Sequence, residues 1–300
     1  MTKYVLCRPE GGLNDMLCQI ERCCRYAERT GRTVVVEANF RPGRFFRDRL
    51  DRYFGSLQPR LLLDPTPVMT ELVRASVYPE HLRGRLNDYV HRWDRTTSRY
   101  VERAQGQPLT FDFMTDYRHE VLVHHQPGGG RNSLFAFLRL ALTPALVAEL
   151  ARRWAAIGPG YAAVHVRHTD YRTDYAAILT ALRRAPPARL LVATDNSAVL
   201  EEFRQALGPE RVHNFAWLGV GPGVPLHRYR VGVDVVERRN SDAILDLLML
   251  GLARELHIVK VENRKDGGFS GFSQLAADLF RAKAVLRHLV APAGISAGLG

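Results

Sequence analysis

Apolar residues along the chain follow two patterns, short continuous runs and longer segments with a period of three to four residues. The short runs predict strands that are buried on both faces: 3–8, 33–37, 120–126, 161–167, 189–195, 211–215 and 256–260. The periodic segments predict helices: 16–29, 143–154, 175–184, 197–207, 242–252 and 272–280. Because strands and helices alternate, we expect an α/β protein built on parallel sheets.

The pattern is weaker between residues 41 and 108. Phe45, Phe46, Leu50 and Tyr53 have the spacing of an amphipathic helix, so a helix is predicted there. Residues 83–107 are irregular and rich in arginine, which is typical of a variable surface that binds an acceptor or a partner.

A domain boundary is predicted at Gly158-Pro-Gly160, after the helix at 143–154 has ended. The strand-helix alternation occurs on both sides of this boundary. We therefore predict two Rossmann-like, doubly wound domains that face an interdomain cleft, residues 1–157 and residues 158–290, followed by a flexible tail at 291–300.

The chain carries 42 lysines and arginines against 31 aspartates and glutamates, a net charge of +11. Such a charge admits nucleic acid, an acidic membrane surface or a phosphate-bearing small molecule as a partner. The arginines are dispersed and no nucleic-acid motif is present, so nucleic acid is not the expected partner. Peripheral membrane contact stays open, and an arginine-rich composition is also typical of a GC-rich genome.

No apolar run approaches the roughly 18 to 20 residues that cross a bilayer, and the N-terminal residues do not resemble a signal peptide. We therefore expect a cytoplasmic protein without a transmembrane segment. All four cysteines lie within the first 24 residues and are expected to be buried free thiols: Cys7, Cys18, Cys23 and Cys24.

Polar residues cluster where the strand at 161–167 ends, from His165 to Asp170. Ligands of open α/β sheets bind outside the carboxyl ends of strands, so this segment, which includes Arg167 and His168, is a candidate site. The Arg167 guanidinium can form paired hydrogen bonds with a phosphate. The alternative is a structural ion pair between Arg167 and Asp170.

The loop after the first strand contains Gly11, Gly12, Asn14 and Asp15. The glycines allow a ligand to approach the backbone closely, whereas Asn14 or Asp15 can equally cap the next helix. A Gly-x-Gly-x-x-Gly fingerprint and a Walker motif are both absent from the sequence, which disfavours a dinucleotide oxidoreductase or a P-loop enzyme.

A third group of polar residues ends the strand at 120–126 and precedes three glycines. His124 and His125 are adjacent, so they point to opposite faces of an extended chain and joint metal ligation is not expected. We expect at most one of them to face the cleft, on the acceptor side with Asp116, and we predict no metal site.

Four motifs occur in order: Gly11-Gly-Leu-Asn-Asp15, Val164-His-Val-Arg-His-Thr-Asp170, Leu191-Val-Ala-Thr-Asp195, and Ala243–Leu250 with Ser270-Gly-Phe-Ser273. The last three resemble the C-terminal motifs of the α1,6- and protein O-fucosyltransferase superfamily, which includes the rhizobial chitin-oligosaccharide fucosyltransferases. The first is similar to the Gly-x-x-Asn loop of that superfamily. The resemblance covers the second half of the chain and the beginning of the first half.

The resemblance implies a GT-B fold and a metal-independent, inverting transfer of fucose from GDP-fucose, without a cofactor. Arg167 would bind the β-phosphate and stabilise the leaving GDP, with His165 in the same pocket. Asp195 and Asp246 would contact ribose or guanine, with Asp242 as a competitor of Asp246. The alternatives are a plain helix cap at Asp195 and Asn196 and, for Asp246, a buried carboxylate that is paired to the backbone.

The same resemblance gives roles to two further groups. One group would offer hydroxyl and backbone donors to the phosphates at a helix N-terminus, or would simply cap that helix: Ser270, Gly271, Phe272 and Ser273. Asn14 would reach the reaction centre from the other domain, and Gly11 and Gly12 would lie beside the donor.

The identity of the general base stays open. His168 stands where the α1,6 enzymes carry a second arginine, which is closer to the rhizobial pattern. The carboxylate proposed as the base in the superfamily lies downstream, and Asp174 or Asp170 approximates it without matching the spacing. A donor phosphate oxygen is the alternative base.

The sequence thus predicts a bacterial fucosyltransferase whose acceptor is a hydroxyl group of a glycan, a lipid-linked sugar or a small metabolite. Three other interpretations compete with it. The donor can be another GDP-sugar or a UDP-sugar, the chain can be a non-catalytic nucleotide-sugar-binding protein, or it can be a basic nucleic-acid-binding protein. A nucleic-acid complex would lose affinity steeply as salt rises, whereas a pocket for one GDP would lose much less.

Overall fold

The computed structural model describes residues 2–40, 46–219, 233–262 and 268–295. The chain divides into two compact units between Ala141 and Leu142. The helix Pro144–Ile157 therefore belongs to the second unit, whereas the sequence analysis assigned it to the first. Arg153 on this helix pairs with Asp242 of a later helix, a contact that no local pattern reveals.

The first unit contains a parallel sheet and short accessory elements. Among the described residues, the strands that begin in this unit are β1 (Tyr4–Glu10), β2 (Thr33–Val36), β3 (Phe54–Ser56), β4 (Leu61–Leu62), β5 (Val77–Tyr78), β6 (His91–Asp94), β7 (Arg99–Glu102), β8 (Val121–Pro127) and β9 (Leu140–Leu142). The helices are α1 (Leu13–Thr30), α2 (Met69–Arg74) and α3 (Ser133–Ala136).

Parallel pairing brings the carboxyl ends of β1 and β8 side by side. The sheet has the strand order β4-β2-β1-β8-β5, while β6 and β7 form an antiparallel hairpin. In the β1–β8 register Cys7 lies opposite His124 and Glu10 lies opposite Pro127. The polar residues that follow both strands therefore share one edge of the sheet.

Helix α1 packs beside β1 with one apolar side, formed by Met16, Leu17, Ile20 and Cys23, all of which are buried. Full burial of each such side chain contributes about 1.5 to 3 kcal/mol. The helix ends at Gly31, whose φ of 69° is left-handed and therefore favours glycine. The four cysteines are buried and free, as predicted.

The second unit contains a four-stranded parallel sheet in the order β12-β11-β10-β13. Its strands are β10 (Ala162–Val166), β11 (Leu190–Thr194), β12 (Val212–His213) and β13 (Glu255–Ile258). Its helices, within the described residues, are α4 (Pro144–Ile157), α5 (Ala176–Arg184), α6 (Ser197–Leu207), α7 (Val233–Leu252), α8 (Gly271–Arg281) and α9 (Lys283–Val290). Strands β10 and β11 are entirely buried, which explains why their sequences are continuous apolar runs.

The prediction of a helix through Phe46, Leu50 and Tyr53 is wrong, and Phe45 lies outside the described residues. Only a 3-10 turn at Leu50–Arg52 forms before β3. The three side chains are buried nevertheless. Tyr53 donates a hydrogen bond of 2.7 Å to Asp48 and packs edge-to-face with the Phe46 ring at 5.2 Å. Tertiary packing fixes this segment without helical periodicity.

The segment 291–300, which the sequence predicts to be a flexible tail, is described as far as Ile295. Ala291–Ala293 forms a 3-10 turn and Ile295 is buried. Residues 296–300 lie outside the described residues. None of the helices in the described ranges combines the length and apolar character needed to cross a membrane.

Candidate functional site

Arg167 lies directly after β10 and forms a two-point ion pair with Asp170. Its Nε is 2.9 Å from one carboxylate oxygen and its Nη2 is 2.8 Å from the other, while the guanidinium carbon lies 4.7 Å from the centre of the Tyr171 ring. Burial opposes the charge, but the Asp170 carboxylate raises the pKa of Arg167 above its ordinary value. The Arg167 side chain is still 24% exposed, and its Nη1 makes no hydrogen bond within the described residues.

The ion-pair alternative is therefore present in the structure, and it leaves one edge of the guanidinium for a ligand. Asp170 holds the cation at the strand end by two charge-assisted hydrogen bonds. The same pairing engages both carboxylate oxygens of Asp170, which weakens its candidacy as a general base.

The carboxylate of Asp195, after β11, supports the loop that contains His168. One oxygen accepts from the backbone N–H of His168 at 2.8 Å and the other accepts from the Thr169 hydroxyl at 2.5 Å. Asn196 donates from its side chain to the carbonyl of His168 at 2.8 Å and accepts from Ala198 N–H as the cap of α6. Asp195 thus acts on the loop beside Arg167, and the helix cap is Asn196.

His165 is the second-last residue of β10, and it is hydrogen-bonded to a pair of serine hydroxyl groups at the start of α8. Its Nδ1 is 2.8 Å from the Ser273 hydroxyl, which is 2.9 Å from the Ser270 hydroxyl. Ser270 caps α8 by accepting from the backbone N–H of Ser273 at 3.1 Å, and the Phe272 ring lies 4.8 Å from the imidazole. The capping alternative is therefore realised by Ser270.

This contact places the N-terminus of α8, which begins at Gly271, beside the carboxyl end of β10. Helix N-termini attract anions because their first backbone N–H groups point outward and carry partial positive charge. Burial, with a smaller contribution from the Arg167 charge, lowers the pKa of His165 to about 3. His165 is consequently neutral at physiological pH, and Arg167 supplies the full positive charge near this helix end.

Asp246, on α7, has its charged partner outside this group of residues, and its contact with guanine or ribose stays a prediction. It is buried and lies 3.4 Å from Arg153 of α4, which also pairs with Asp242. Tyr161, directly before β10, donates to the carbonyl of Met249, so this part of α7 lies at the amino end of β10. Burial raises the pKa of Asp246 to about 7; the Arg153 charge opposes the rise and Asp242 adds to it.

Asp246 is therefore buried, as the alternative expected, but the partner seen in the structure is the Arg153 guanidinium rather than the expected backbone. Its competitor Asp242 also accepts from the backbone N–H of Trp217 at 2.8 Å. Asp174 is exposed and accepts from the backbone N–H of Ala176 at 3.1 Å, at the start of α5. Asp174 remains a candidate base only because it follows Asp170 by four residues along the chain.

In the first unit, Asn14 is held at the start of α1 beneath the loop that follows β8. Its side-chain oxygen accepts from the Ser133 hydroxyl at 2.6 Å. Gly12 caps α1, and the Asp15 carboxylate closes the cap by accepting from Gly12 N–H at 3.1 Å. A Cβ at Gly129 would lie 2.7 Å from the Asn14 amide nitrogen and 2.5 Å from an Asp15 oxygen, so the two segments touch.

Gly11 makes the turn into α1 with a φ of 110°, a value that few residues other than glycine adopt. Both interpretations of the first loop thus have a physical basis. Asp15 caps the helix, whereas Gly11 and Gly12 bring backbone to the carboxyl edge of the first sheet.

His124 and His125 point to opposite sides of β8, and both are buried. His124 makes hydrogen bonds of 2.7 Å with Gln19 and with Thr110. His125 makes hydrogen bonds with Tyr89 at 2.8 Å and with Glu10 at 3.2 Å. Of these two histidines, His125 is the one whose side chain bonds to Glu10 at the end of β1.

Asp116 lies at the other end of the first sheet. The neighbouring Thr115 accepts a hydrogen bond from Tyr26, in the last turns of α1, and Arg32, just before β2, donates to the carbonyl of Tyr117. Since β2 begins at this edge, Asp116 is remote from Asn14 and does not belong to an acceptor site with His125. Periodicity could not reveal this, because Asp116 belongs to neither a strand nor a helix.

A second polar cluster, at the end of β1, was not expected from the sequence. Arg8 is 1% exposed, places two nitrogens 2.7 Å from one oxygen of Glu37, and lies 3.4 Å from the centre of the Phe40 ring. Glu10 contacts His125 and lies 3.5 Å from His91 of β6. The sequence did contain one signal of this cluster, because Arg8 is a charged residue within the apolar run of β1.

No family model and no curated protein matches the chain. Solved structures do. NodZ alpha-1,6-fucosyltransferase soaked with GDP-fucose is 18% identical over 93% of both chains, with a TM-score of 0.64. The same enzyme co-crystallised with GDP is 16% identical over 92% of both chains, with a TM-score of 0.61.

Fucosyltransferase NodZ from Bradyrhizobium gives a similar result, 17% identity over 92% of this chain and 93% of the other, with a TM-score of 0.59. Identities at this level establish similarity of the fold. The α/β fold with parallel sheets described above is similar to that of the NodZ structures, and the predicted GT-B fold class is confirmed.

Proposed function

We propose that this chain transfers fucose from GDP-fucose to a hydroxyl group of a glycan or small-molecule acceptor. One observation carries the proposal: the carboxyl end of β10 is followed directly by Arg167, and its residue His165 contacts Ser273 at the N-terminus of α8. Support also comes from the likeness to structures soaked with GDP-fucose or crystallised with GDP. A guanidinium and a helix N-terminus together suit a pyrophosphate group.

The proposed chemistry needs a cation where negative charge develops. When the sugar–phosphate bond breaks, charge grows on the bridging oxygen of the leaving GDP. Arg167 would receive this charge through Nη1, and the backbone N–H groups at the start of α8 would receive the remaining phosphate oxygens. Fixed donors of this kind lower such barriers by a few kcal/mol, so no metal ion is needed at the pyrophosphate.

The surrounding contacts would hold these donors in position. Asp170 fixes the direction of the Arg167 guanidinium, and Asp195 fixes the backbone of His168 next to it. The acceptor hydroxyl attacks the sugar carbon from the face opposite GDP in an inverting transfer, and its proton passes to a base. Asp174 and a donor phosphate oxygen are the candidates for that base.

A thermal-shift panel tests the donor. GDP, GDP-fucose, GDP-mannose, UDP and UDP-glucose are each titrated to millimolar concentration, in the presence and absence of a chelator. Because stabilisation grows as RT ln(1 + [L]/Kd), micromolar binding at millimolar ligand raises the unfolding free energy by about 4 kcal/mol. We expect both GDP and GDP-fucose to stabilise the protein. For each of them, the stabilisation should be the same in the presence and in the absence of the chelator.

Turnover separates an enzyme from a binding protein. GDP release from GDP-fucose is followed with candidate acceptors, and the anomeric configuration of the product is read by NMR. Stabilisation by GDP without turnover on any acceptor would favour the non-catalytic interpretation. A preference for UDP compounds would overturn the proposed donor.

A further inference from the structure

We propose that Glu10, His91 and His125 in the first unit form a binding site for a divalent transition-metal ion of the zinc type. One ligand atom from each side chain lies within 4.8 Å of the others. This proposal concerns a different unit from the donor residues and does not depend on the proposed transferase activity.

The separations of the donor atoms fit such an ion. Nε2 of His125 is 3.2 Å from Oε1 of Glu10, and Nε2 of His91 is 3.5 Å from the same oxygen. In a tetrahedral zinc site with bonds of about 2.0–2.1 Å, neighbouring ligand atoms are about 3.3 Å apart. Two of the three separations are therefore close to the tetrahedral value, and the third, between the two histidines, is within 4.8 Å.

The fold brings these side chains together from three strands. Glu10 is the last residue of β1, and His125 is on the adjacent strand β8, where it pairs in register with Arg8. His91 is the first residue of β6, in the hairpin with β7, and its ring centre is 4.5 Å from that of His125. The hairpin therefore contributes one ligand and closes the site from one side.

A neighbouring group fixes the direction of the His125 ring. The Tyr89 hydroxyl is 2.8 Å from Nδ1 of His125, which turns Nε2 toward Glu10. When Nδ1–H donates to the Tyr89 oxygen, Nε2 presents its lone pair at the position that an ion would occupy. Metal-binding histidines are commonly oriented by such a hydrogen bond at the other ring nitrogen.

The charge near the site also suits a cation. Glu10 supplies one negative charge, and the guanidinium of Arg8, a residue opposite His125 in the strand register, is paired with Glu37 at 2.7 Å. Two imidazoles and one carboxylate are a ligand set that zinc accepts, with a fourth position for water. His91 and Glu10 are partly exposed, at 21% and 12% of their side chains, so an ion can reach the site from solvent.

Metal titration of the full chain, prepared without a polyhistidine tag and stripped with chelator, tests this inference. Zn²⁺ is titrated calorimetrically, and Co²⁺ is added as a spectroscopic probe of geometry. We expect one equivalent of either ion to bind, with the visible absorption of four-coordinate Co²⁺ and a higher melting temperature. Binding of zinc at several weak surface sites, without a tight first equivalent, would overturn the proposal.

The variants His91→Gln and His119→Gln form a matched pair, because His119 is also in the first unit and is similarly exposed, at 27% of its side chain. His91→Gln should weaken zinc binding by more than about 100-fold, whereas His119→Gln should not change it. Equal affinities of the two variants would refute the site, leaving Glu10, His125 and Tyr89 as a hydrogen-bond network only.

Tyr89→Phe provides a second measurement if His91→Gln folds poorly. Removal of the hydroxyl that orients His125 should weaken zinc binding by about 10- to 100-fold while Co²⁺ keeps its four-coordinate spectrum. Unchanged zinc affinity in this variant would contradict the proposed orientation. GDP-induced stabilisation of the chelated protein is measured in parallel, so loss of the metal site and failure of the proposed donor remain distinguishable.

Discussion

The carboxyl edges of the two parallel sheets present the same kind of sequence, an apolar run that ends in arginine and histidine, but differ in what those residues contact. At the first edge Arg8 is 1% exposed and bonds both to Glu37 and to the carbonyl of Leu86. At the second edge Arg167 has Asp170 as its carboxylate partner and is 24% exposed. The first cation is neutralised within the fold, and the second keeps an edge for an anion.

This difference shows that an arginine at a strand end is not by itself a ligand site. The number of partners and the burial of the guanidinium separate a structural cation from one that receives phosphate. A buried charge that loses its partner destabilises the fold strongly, whereas an exposed pair contributes little. The two arginines should therefore respond to substitution in opposite ways.

Arg8→Ala should have the largest effect on stability. It leaves Glu37 without its partner and removes the contact with the Phe40 ring. We expect the free energy of unfolding to fall by about 3 to 5 kcal/mol in urea denaturation. Arg74→Ala, at an exposed position on α2 in the same unit, is the control and should change it by less than about 0.5 kcal/mol. A loss below about 1 kcal/mol for Arg8→Ala would remove the distinction between the two edges.

Arg167→Ala should spare the fold and weaken the ligand. Loss of a charge-assisted hydrogen bond costs about 1.5 to 3 kcal/mol, which corresponds to about a 10- to 150-fold lower affinity for GDP. The free energy of unfolding should fall by less than about 1 kcal/mol, as for exposed ion pairs. Calorimetry with GDP and urea unfolding measure the two quantities.

Arg172→Ala is the matched control for this variant, since it removes the same charge from an exposed position in the same loop. It should leave GDP affinity within a factor of two. If Arg167→Ala lowered stability but not GDP affinity per folded molecule, Arg167 would be a structural cation like Arg8.

Gly129→Ala probes the packing of the first edge. The added Cβ meets the side chains of Asn14 and Asp15, which are themselves held by Ser133 and Gly12. Displacement of Asp15 opens the cap of α1, so we expect a loss of about 1 to 2 kcal/mol in urea unfolding. Gly55→Ala, where an added Cβ meets no atom within 4 Å, is the control and should be close to neutral. Equal effects would mean that the glycine loop adjusts without disturbing Asn14.

The smallest of these effects is expected for the dependence of GDP affinity on pH. Because burial lowers the pKa of His165 to about 3, this histidine does not charge at the second edge near neutral pH. GDP affinity should therefore change by less than about twofold between pH 6.5 and 8.5. Its neutral state stabilises the fold fully above the unfolded pKa of about 6.5, and this contribution is lost as pH falls toward 3. A tenfold loss of GDP affinity above pH 6.5 would instead indicate a protonated His165.

The sequence predicts well those elements whose burial is nearly complete. Strand β10 and strand β11 are covered on both faces, so the apolar runs from Ala162 and from Leu190 correspond directly to their burial. Local patterns were sufficient for these two strands. The roles of His165 and Ser273 at one phosphate site came instead from the family resemblance, and the structure brings the two side chains within 2.8 Å of each other.

Other features depend on partners that are distant along the chain. Asp246 among leucines has the pattern of an inward carboxylate, but Arg153, its partner, lies 93 positions earlier. Arg8 bonds to Leu86 over 78 positions, and His91 comes from the hairpin that no periodicity predicts. A pattern of residue types can indicate that a charged side chain is buried in the fold. It does not identify the residue that neutralises the charge.

The hydrogen bonds from Asp195 and Asn196 have a kinetic consequence. Three hydrogen bonds within the chain hold this loop: two are made by the backbone of His168 and one by the hydroxyl of Thr169. Ordering a loose loop costs about 1 to 2 kcal/mol per residue and commonly appears as a slow second phase after encounter. With this loop held by the chain itself, stopped-flow traces of GDP association should follow a single exponential whose rate rises linearly with ligand concentration.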